Sequence, residues 1–184
     1  MSLELVAPDV RYEGSYRDAM AEFVAEGRAE ELRTLPNHSS FSDFIQELFD
    51  WSNGVGLPPG WVAGSTYWLV DGARVLGRVE IRHRLTDDLR LRGGHVGYSI
   101  RPTARRRGYG RLALAMGLRP CIELGLSKIL ATCDTTNRAS RRIIESNGGV
   151  LQDVVDVPGY PAGTMRYWID VAAQLCATNA LTPS

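Results

Sequence analysis

The chain has few of the residues that build metal sites or disulfide frameworks. It contains three cysteines and three histidines in 184 residues, and neither set has the spacing of a zinc or disulfide motif. The net charge is zero, with 21 basic and 21 acidic residues, so any basic patch must be local. This composition excludes a disulfide-dense secreted scaffold, favours a reducing compartment and predicts no bound metal.

Long apolar runs are missing as well. No run approaches the ~18 residues that a membrane helix needs, and the N-terminus has no basic region followed by an apolar core. We therefore expect a cytoplasmic protein with no membrane partner. The length suits one domain, which we assign to residues 1–172, followed by a C-terminal tail at 173–184.

The pattern of apolar residues and turn signals predicts a mixed α/β domain with the element order β-α-α-β-β-β-α-β-α-β-β. We expect the first helix to open at Ser15 and the second at Ser39 or Ser40, because serine hydroxyls cap helix N-termini. Asp71-Gly72 predicts a tight turn between two antiparallel strands.

The stretch 100–117, IRPTARRRGYGRLALAMG, allows four interpretations. It could be a solvated loop, a nucleic-acid patch, a dinucleotide-binding loop or a phosphate cradle. The neutral chain has no aromatic ladder beside this patch, so we expect no nucleic-acid partner. The match to G-x-G-x-x-A does not follow a βαβ strand directly, and no Gly-Lys-Ser/Thr follows it, so a dinucleotide fold or Walker loop is disfavoured.

Local physics is compatible with a phosphate cradle as well as with a solvated loop. Gly108 and Gly110 let the backbone approach a phosphate closely, and the positive end of the following helix adds attraction. Arg105, Arg106 and Arg107 add forked donors for further phosphate oxygens.

This cradle also carries a family resemblance. Arg105-x-x-Gly108-x-Gly110 resembles the Q/R-x-x-G-x-G/A loop of the GNAT acyltransferase superfamily, which binds the pyrophosphate of acetyl-coenzyme A. The strand HVGYSIRP precedes the loop, and TCDTTNRASRRIIESNGG resembles the family's second cofactor segment. The resemblance covers about residues 66–170. It implies a mixed α+β fold with a central mixed, mostly antiparallel sheet, helices on both faces, and acetyl-coenzyme A as cosubstrate.

The resemblance implies a cofactor site built largely from backbone groups. The edge of one strand would hold the pantetheine arm as an added strand, and the loop N–H groups would hold the pyrophosphate. Two polar side chains at the start of a later helix would add contacts. The expected cofactor residues are Ser99, Ile100, Arg105, Arg106, Arg107, Gly108, Tyr109, Gly110, Arg111, Asn137 and Ser140.

Acetyl transfer to an amine requires a base, because an alkyl amine is mostly protonated at neutral pH. His95 opens the cofactor-binding strand, close to where some family members carry a glutamate base, and its side-chain type titrates in the right range. Glu80 and His83 on the preceding strand are further candidates, and Tyr98 is a candidate general acid. An ordinary structural role is the alternative at each of these positions.

Position 144 departs from the family pattern. Many members place a tyrosine there to protonate the leaving thiolate, and this chain has Ile144. Either Tyr98, Tyr160 or Tyr167 serves instead, or the thiolate leaves without an acid. We therefore expect an acetyl-coenzyme A-dependent N-acetyltransferase that works by direct attack in a ternary complex. A non-catalytic coenzyme A-binding sensor or interaction module is the alternative.

The amine acceptor stays open at this stage. Family members shape the acceptor site with the segment that corresponds to 33–66, where Asp43, Glu47 and Asp50 would favour a cationic amine. Homodimerisation is common in the family, but no feature of this sequence tests it.

Overall fold

The computed structural model describes residues 2–28 and 38–179. It divides the chain into two compact units. The first unit is Met1–Glu80 with Tyr98–Ala113, and the second is Ile81–Gly97 with Leu114–Ser184. The assignment of residues 1–172 to a single domain stays a prediction.

The described residues contain seven strands and six α-helices. The strands are β1 (Leu3–Val6), β2 (Gly64–Asp71), β3 (Arg74–Arg82), β4 (Val96–Ile100), β5 (Lys128–Asp134), β6 (Val150–Val157) and β7 (Tyr160–Asp170). The helices are α1 (Glu13–Ala25), α2 (Phe41–Ser52), α3 (Asp87–Leu91), α4 (Tyr109–Glu123), α5 (Arg138–Glu145) and α6 (Val171–Asn179). The strands form a four-stranded sheet, in the order β1-β2-β3-β4, and a three-stranded sheet, in the order β5-β7-β6. The predicted mixed α+β class is confirmed.

An aromatic core holds the first unit together. Tyr16 of α1 stacks on Trp68 of β2, with ring centroids 4.7 Å apart. Phe41 and Phe44 of α2 contact the Tyr16 ring at centroid distances of 5.6 and 5.5 Å. All four side chains are buried. Because aromatic pairs of this kind stabilise beyond their area burial, they fix α1 and α2 against β2.

Ser15 does not cap the first helix, and that prediction was wrong. The helix begins at Glu13, and the Ser15 hydroxyl accepts a hydrogen bond from the Val75 N–H of β3 at 2.9 Å. The Ser15 hydroxyl therefore makes a contact with a distant strand, whereas the local sequence pattern predicted that it would cap the helix. Ser40 caps α2 as predicted, because its hydroxyl accepts from the Asp43 N–H at 3.1 Å.

We expect Ser15→Ala to lower the free energy of unfolding by about 1–2 kcal/mol, because it leaves the Val75 N–H without its acceptor. Ser52→Ala is the matched control, since the Ser52 hydroxyl donates to the Phe49 carbonyl at the exposed end of α2. The control should change stability by less than about 0.5 kcal/mol. Denaturant unfolding measures both, and equal effects would contradict this role for Ser15.

The second unit is organised around β7. This strand pairs antiparallel with β5, from Lys128↔Asp170 to Asp134↔Thr164, and with β6 across two register shifts. Helix α6 follows β7 and includes positions 173–179, and the assignment of 173–184 to a C-terminal tail stays a prediction. Positions 180–184 lie outside the described residues. None of the helices in 2–28 and 38–179 combines the length and the apolar character that crossing a membrane demands.

Candidate functional site

The loop from Arg105 to Gly108 has an unusual backbone. Arg106 and Gly108 are both left-handed, with φ of 63° and 82°. Alternation of backbone handedness turns successive N–H groups toward one side and forms an anion-binding concavity. Within residues 2–28 and 38–179, Arg106 is the only non-glycine residue with positive φ. Such conformations cost about 1–3 kcal/mol and concentrate at functional sites.

Helix α4 begins directly after this loop. Its first bonds run from the Arg111 and Leu112 N–H groups to the Gly108 carbonyl, at 3.1 and 3.2 Å. The N–H groups of Tyr109 and Gly110 therefore have no acceptor within the helix. The helix has 15 residues, so its dipole places positive partial charge at this end. Together the loop and the helix terminus form a site suited to a phosphate or pyrophosphate.

The three consecutive arginines have different surroundings. Arg106 and Arg107 are exposed, and the Arg107 guanidinium lies 5.5 Å from the Tyr109 ring centroid. The Arg105 guanidinium is engaged within the protein. Its Nε donates to the Ile100 carbonyl at 3.0 Å, and Nη1 and Nη2 each lie 2.9 Å from the Glu26 carboxylate. The Arg105 side chain therefore ties the start of the loop to Ile100 and Glu26.

Strand β4 is the edge strand of its sheet, in the order β1-β2-β3-β4. Ser99 is buried, and in the part of the chain that the structure describes its hydroxyl has no hydrogen-bond partner. The neighbouring strand β3 approaches β4 closely at Gly77. A Cβ at this position would come within 2.5 Å of the Ser99 carbonyl oxygen, so glycine permits the close approach. The edge at Ser99 and Ile100 is the kind of surface to which an extended chain adds.

His95, the first candidate for the base, is held in the second unit by the backbone of β5. Its N–H donates to the Leu130 carbonyl at 2.8 Å, and its Nδ1 accepts the Leu130 N–H at 2.9 Å. Because Nδ1 accepts, the proton of the neutral ring lies on Nε2. Burial, reinforced by the charges of Arg90 and Arg82, lowers the pKa of His95 from 6.5 to about 4. With Nδ1 occupied and this pKa, His95 is poorly placed to take a proton near neutral pH, and its role as the base stays a prediction.

Glu80 lies on β3 and Tyr98 on the neighbouring β4, whereas His83 lies just after β3. Glu80 lines a small pocket in the first unit, where the Arg78 Nε lies 3.5 Å from the Glu80 Oε1. The other walls of this pocket are Tyr16, Phe44, Leu48, Trp51 and Thr66. His83 follows β3 in the second unit, and burial lowers the pKa of His83. Tyr98 is partly buried on β4.

Asn137 and Ser140 lie at the start of α5 in the second unit. The Asn137 Oδ1 accepts from the Ser140 N–H at 3.0 Å, so Asn137 is an N-cap. In residues 2–28 and 38–179, no group of three or more His, Cys, Asp or Glu side chains could hold a metal ion.

The candidate general acids in the second unit have contrasting surroundings. Ile144 is fully buried, so the position of the family's tyrosine carries an apolar side chain inside the unit. The Tyr167 hydroxyl donates to the Glu145 carboxylate at 3.3 Å, and burial, together with that charge, raises the pKa of Tyr167. Tyr160 is half exposed and lies under the Arg92 guanidinium, 3.9 Å from its ring centroid.

Sequence reasoning missed two acids, Glu22 of α1 and Glu26 at the C-cap of α1, which we call the α1 carboxylate pair. Glu22 accepts from the Arg101 Nε at 2.7 Å, the Thr103 N–H at 3.1 Å and the Thr103 hydroxyl at 2.9 Å. Burial opposes ionisation, but these hydrogen bonds outweigh it and hold the pKa of Glu22 below its ordinary value. Glu26 pairs with Arg105. The partners of each acid are about 80 residues away, so no local pattern connects them.

The family model of the acetyltransferase (GNAT) domain matches residues 13–150, which is most of the chain. The chain therefore belongs to the GNAT family of acetyltransferases, and the family indicated by the sequence resemblance is confirmed. Members of this family are acyltransferases.

Solved acetyltransferases share this fold. RimL, a ribosomal L7/L12 α-N-protein acetyltransferase in complex with coenzyme A, is 15% identical with a TM-score of 0.66, over 93% of this chain and 96% of that chain. RimJ of Mycobacterium smegmatis, in complex with a coenzyme A disulfide, is 17% identical with a TM-score of 0.65, over 96% and 89%. A spermidine N-acetyltransferase chimera of Vibrio cholerae SpeG and hSSAT is 19% identical with a TM-score of 0.62, over 96% and 99%. At these identities the likeness shows the fold. A comparison with curated protein sequences gives no match.

Proposed function

We propose that the protein is an acetyl-coenzyme A-dependent N-acetyltransferase. It moves the acetyl group to a primary amine of a small molecule or peptide, by direct attack in a ternary complex. The observation that carries this proposal is the left-handed backbone at Arg106 and Gly108, placed at the N-terminus of a 15-residue helix. Family membership supports the acetyl transfer, and the loop geometry supports the pyrophosphate.

In the proposed site, backbone N–H groups from Arg106 to Gly110 hold the pyrophosphate, and the Arg111 N–H instead donates to the Gly108 carbonyl. The strand edge at Ser99 and Ile100 holds the pantetheine arm. Coenzyme A bound in the RimL and RimJ structures supports acetyl-coenzyme A as cosubstrate. Further cofactor contacts from Asn137 and Ser140 are a proposal that rests on the family resemblance.

The acetyl thioester supplies the group that the amine attacks, and coenzyme A leaves as the thiolate. We propose Glu80 as the base that takes the amine proton, because its carboxylate lines a pocket with aromatic walls. His95 is less suited, since the Leu130 N–H occupies its Nδ1. Tyr98 stays the proposed donor of a proton to the thiolate.

The acids that would favour a cationic acceptor are engaged in local contacts. Asp43 accepts from the Ser39 hydroxyl at 2.7 Å, and Glu47 lies 3.0 Å from the His38 ring. Asp50 accepts from Gln46 one turn away, at 2.9 Å. The proposal therefore covers polyamines, other small amines and peptide N-termini alike.

A turnover assay tests the proposed activity. Acetyl-coenzyme A is mixed with a panel of small amines, a polyamine and a peptide with a free N-terminus, and thiol release is followed with a thiol-reactive dye. We expect turnover with at least one amine, and a fall in kcat of about 10²-fold in Glu80→Gln. Glu123→Gln is the control, because Glu123 lies in an exposed pair with Arg119 and should keep full activity. Coenzyme A binding without any turnover would contradict an enzyme and favour a binding module.

A further inference from the structure

The segment 101–105, which leads into the pyrophosphate loop, is bound at two positions near the C-terminal end of α1, Glu22 and Glu26. Glu22 lies in the last turn of α1 and Glu26 is its C-cap, and because they are four residues apart both lie on the same side of this helix end. Glu22 receives Arg101 and both donors of Thr103, and Glu26 receives Arg105. Their three partners therefore lie within five residues that end directly before the left-handed Arg106.

We propose that the α1 carboxylate pair, Glu22 and Glu26, positions the pyrophosphate loop for coenzyme A. This inference rests on the proposed function. Arg105 is held from two directions, by the Glu26 carboxylate and by the Ile100 carbonyl. Thr103 is held through its backbone and its hydroxyl. Residues fixed in this way hold the loop in its binding conformation before the ligand arrives, which lowers the entropy lost on binding.

Burial ranks the two acids. The Arg101 and Glu22 side chains are 10% and 22% exposed, whereas the Arg105 and Glu26 side chains are 34% and 38% exposed. Water screens exposed ion pairs, so they contribute little. Hydrogen bonds to a charged group that is largely buried are stronger. We therefore assign the larger part of the positioning to Glu22.

Calorimetry with coenzyme A measures the effect of each acid. We expect the dissociation constant to rise about tenfold in Glu22→Gln and about two- to threefold in Glu26→Gln. Glu13→Gln is the matched control, because Glu13 lies on the same helix and forms an exposed pair with Arg17 at 2.8 Å. Binding by this control should stay within about twofold of wild type.

A donor without a pyrophosphate separates positioning from general damage to the fold. S-acetylpantetheine carries the thioester and the arm but no pyrophosphate. We expect Glu22→Gln to raise the KM for acetyl-coenzyme A about tenfold, with kcat nearly unchanged, and to leave kcat/KM with S-acetylpantetheine within about twofold of wild type. Equal losses with both donors, or unchanged coenzyme A affinity in both Gln variants, would overturn this inference but leave the proposed function standing. Failure of the wild type to bind coenzyme A would overturn the proposed function and this inference with it.

Discussion

Gly108→Glu is expected to weaken coenzyme A binding by at least about 100-fold, which is about 2.7 kcal/mol. Gly108 has φ of 82°, where a residue with a Cβ is strained by about 1–2 kcal/mol. The new carboxylate would also lie among the N–H groups proposed to hold the pyrophosphate, and like charges repel. No atom lies within 4 Å of a Cβ at this position, so we expect the variant to fold.

Gly125→Glu is the matched control for this substitution. Gly125 has φ of 76° and equally open surroundings, but it follows the C-terminal end of α4. The control adds the same side chain and a similar backbone strain away from the loop. Its coenzyme A affinity should stay within about twofold of wild type. Calorimetry measures both variants, and an equal loss at the two positions would show that strain, rather than a lost anion site, explains Gly108→Glu.

His95→Asn is expected to remove most of an acid-dependent loss of stability. The pKa of His95 is lowered to about 4 in the folded protein, so between pH 6.5 and 4 the unfolded chain binds the proton more readily. The wild type therefore keeps this stabilisation above pH 6.5 and loses about 3 kcal/mol of it as the pH falls through 4. Asparagine places an oxygen near the Nδ1 position, where it can accept the Leu130 N–H without titrating.

Denaturant unfolding at a series of pH values measures this difference. The wild type and His95→Asn should converge as the pH falls, because only the wild type loses the contribution of this imidazole. Parallel curves would show that His95 titrates normally in the folded protein. The acetyl-transfer rate gives a second readout, since a structural histidine leaves the shape of the pH–rate profile unchanged. Loss of the acid limb in His95→Asn would identify His95 as the base after all.

Elements with strong local signals could be predicted from the sequence. The Ser40 cap, the apolar stripe of α2 and the cap of α5 at Asn137 are all encoded within a few residues. The start of α1 was not predictable, because the Ser15 hydroxyl serves β3 instead. Helix α3 has only five residues, too few for a helical period to emerge.

The residues of the candidate site also differ in how much local signal they carry. The loop proposed to hold the pyrophosphate has a local signal, because its arginine and glycines are contiguous from 105 to 110. Glu22 could not, because its partners lie about 80 residues away and only folding brings them together. For His95 the residue type suggested a base, but the sequence could not predict the hydrogen bond from the Leu130 N–H. That hydrogen bond decides whether the His95 Nδ1 can take a proton.

The most direct test of the proposed function is calorimetry of the wild-type protein with coenzyme A. We expect one coenzyme A per chain, with a dissociation constant on the order of 1–100 μM, a value typical of enzyme substrates. Pantetheine, which lacks the pyrophosphate, should bind more weakly than coenzyme A. Absence of coenzyme A binding at high micromolar concentration, with wild type and Gly108→Glu indistinguishable, would contradict the proposal.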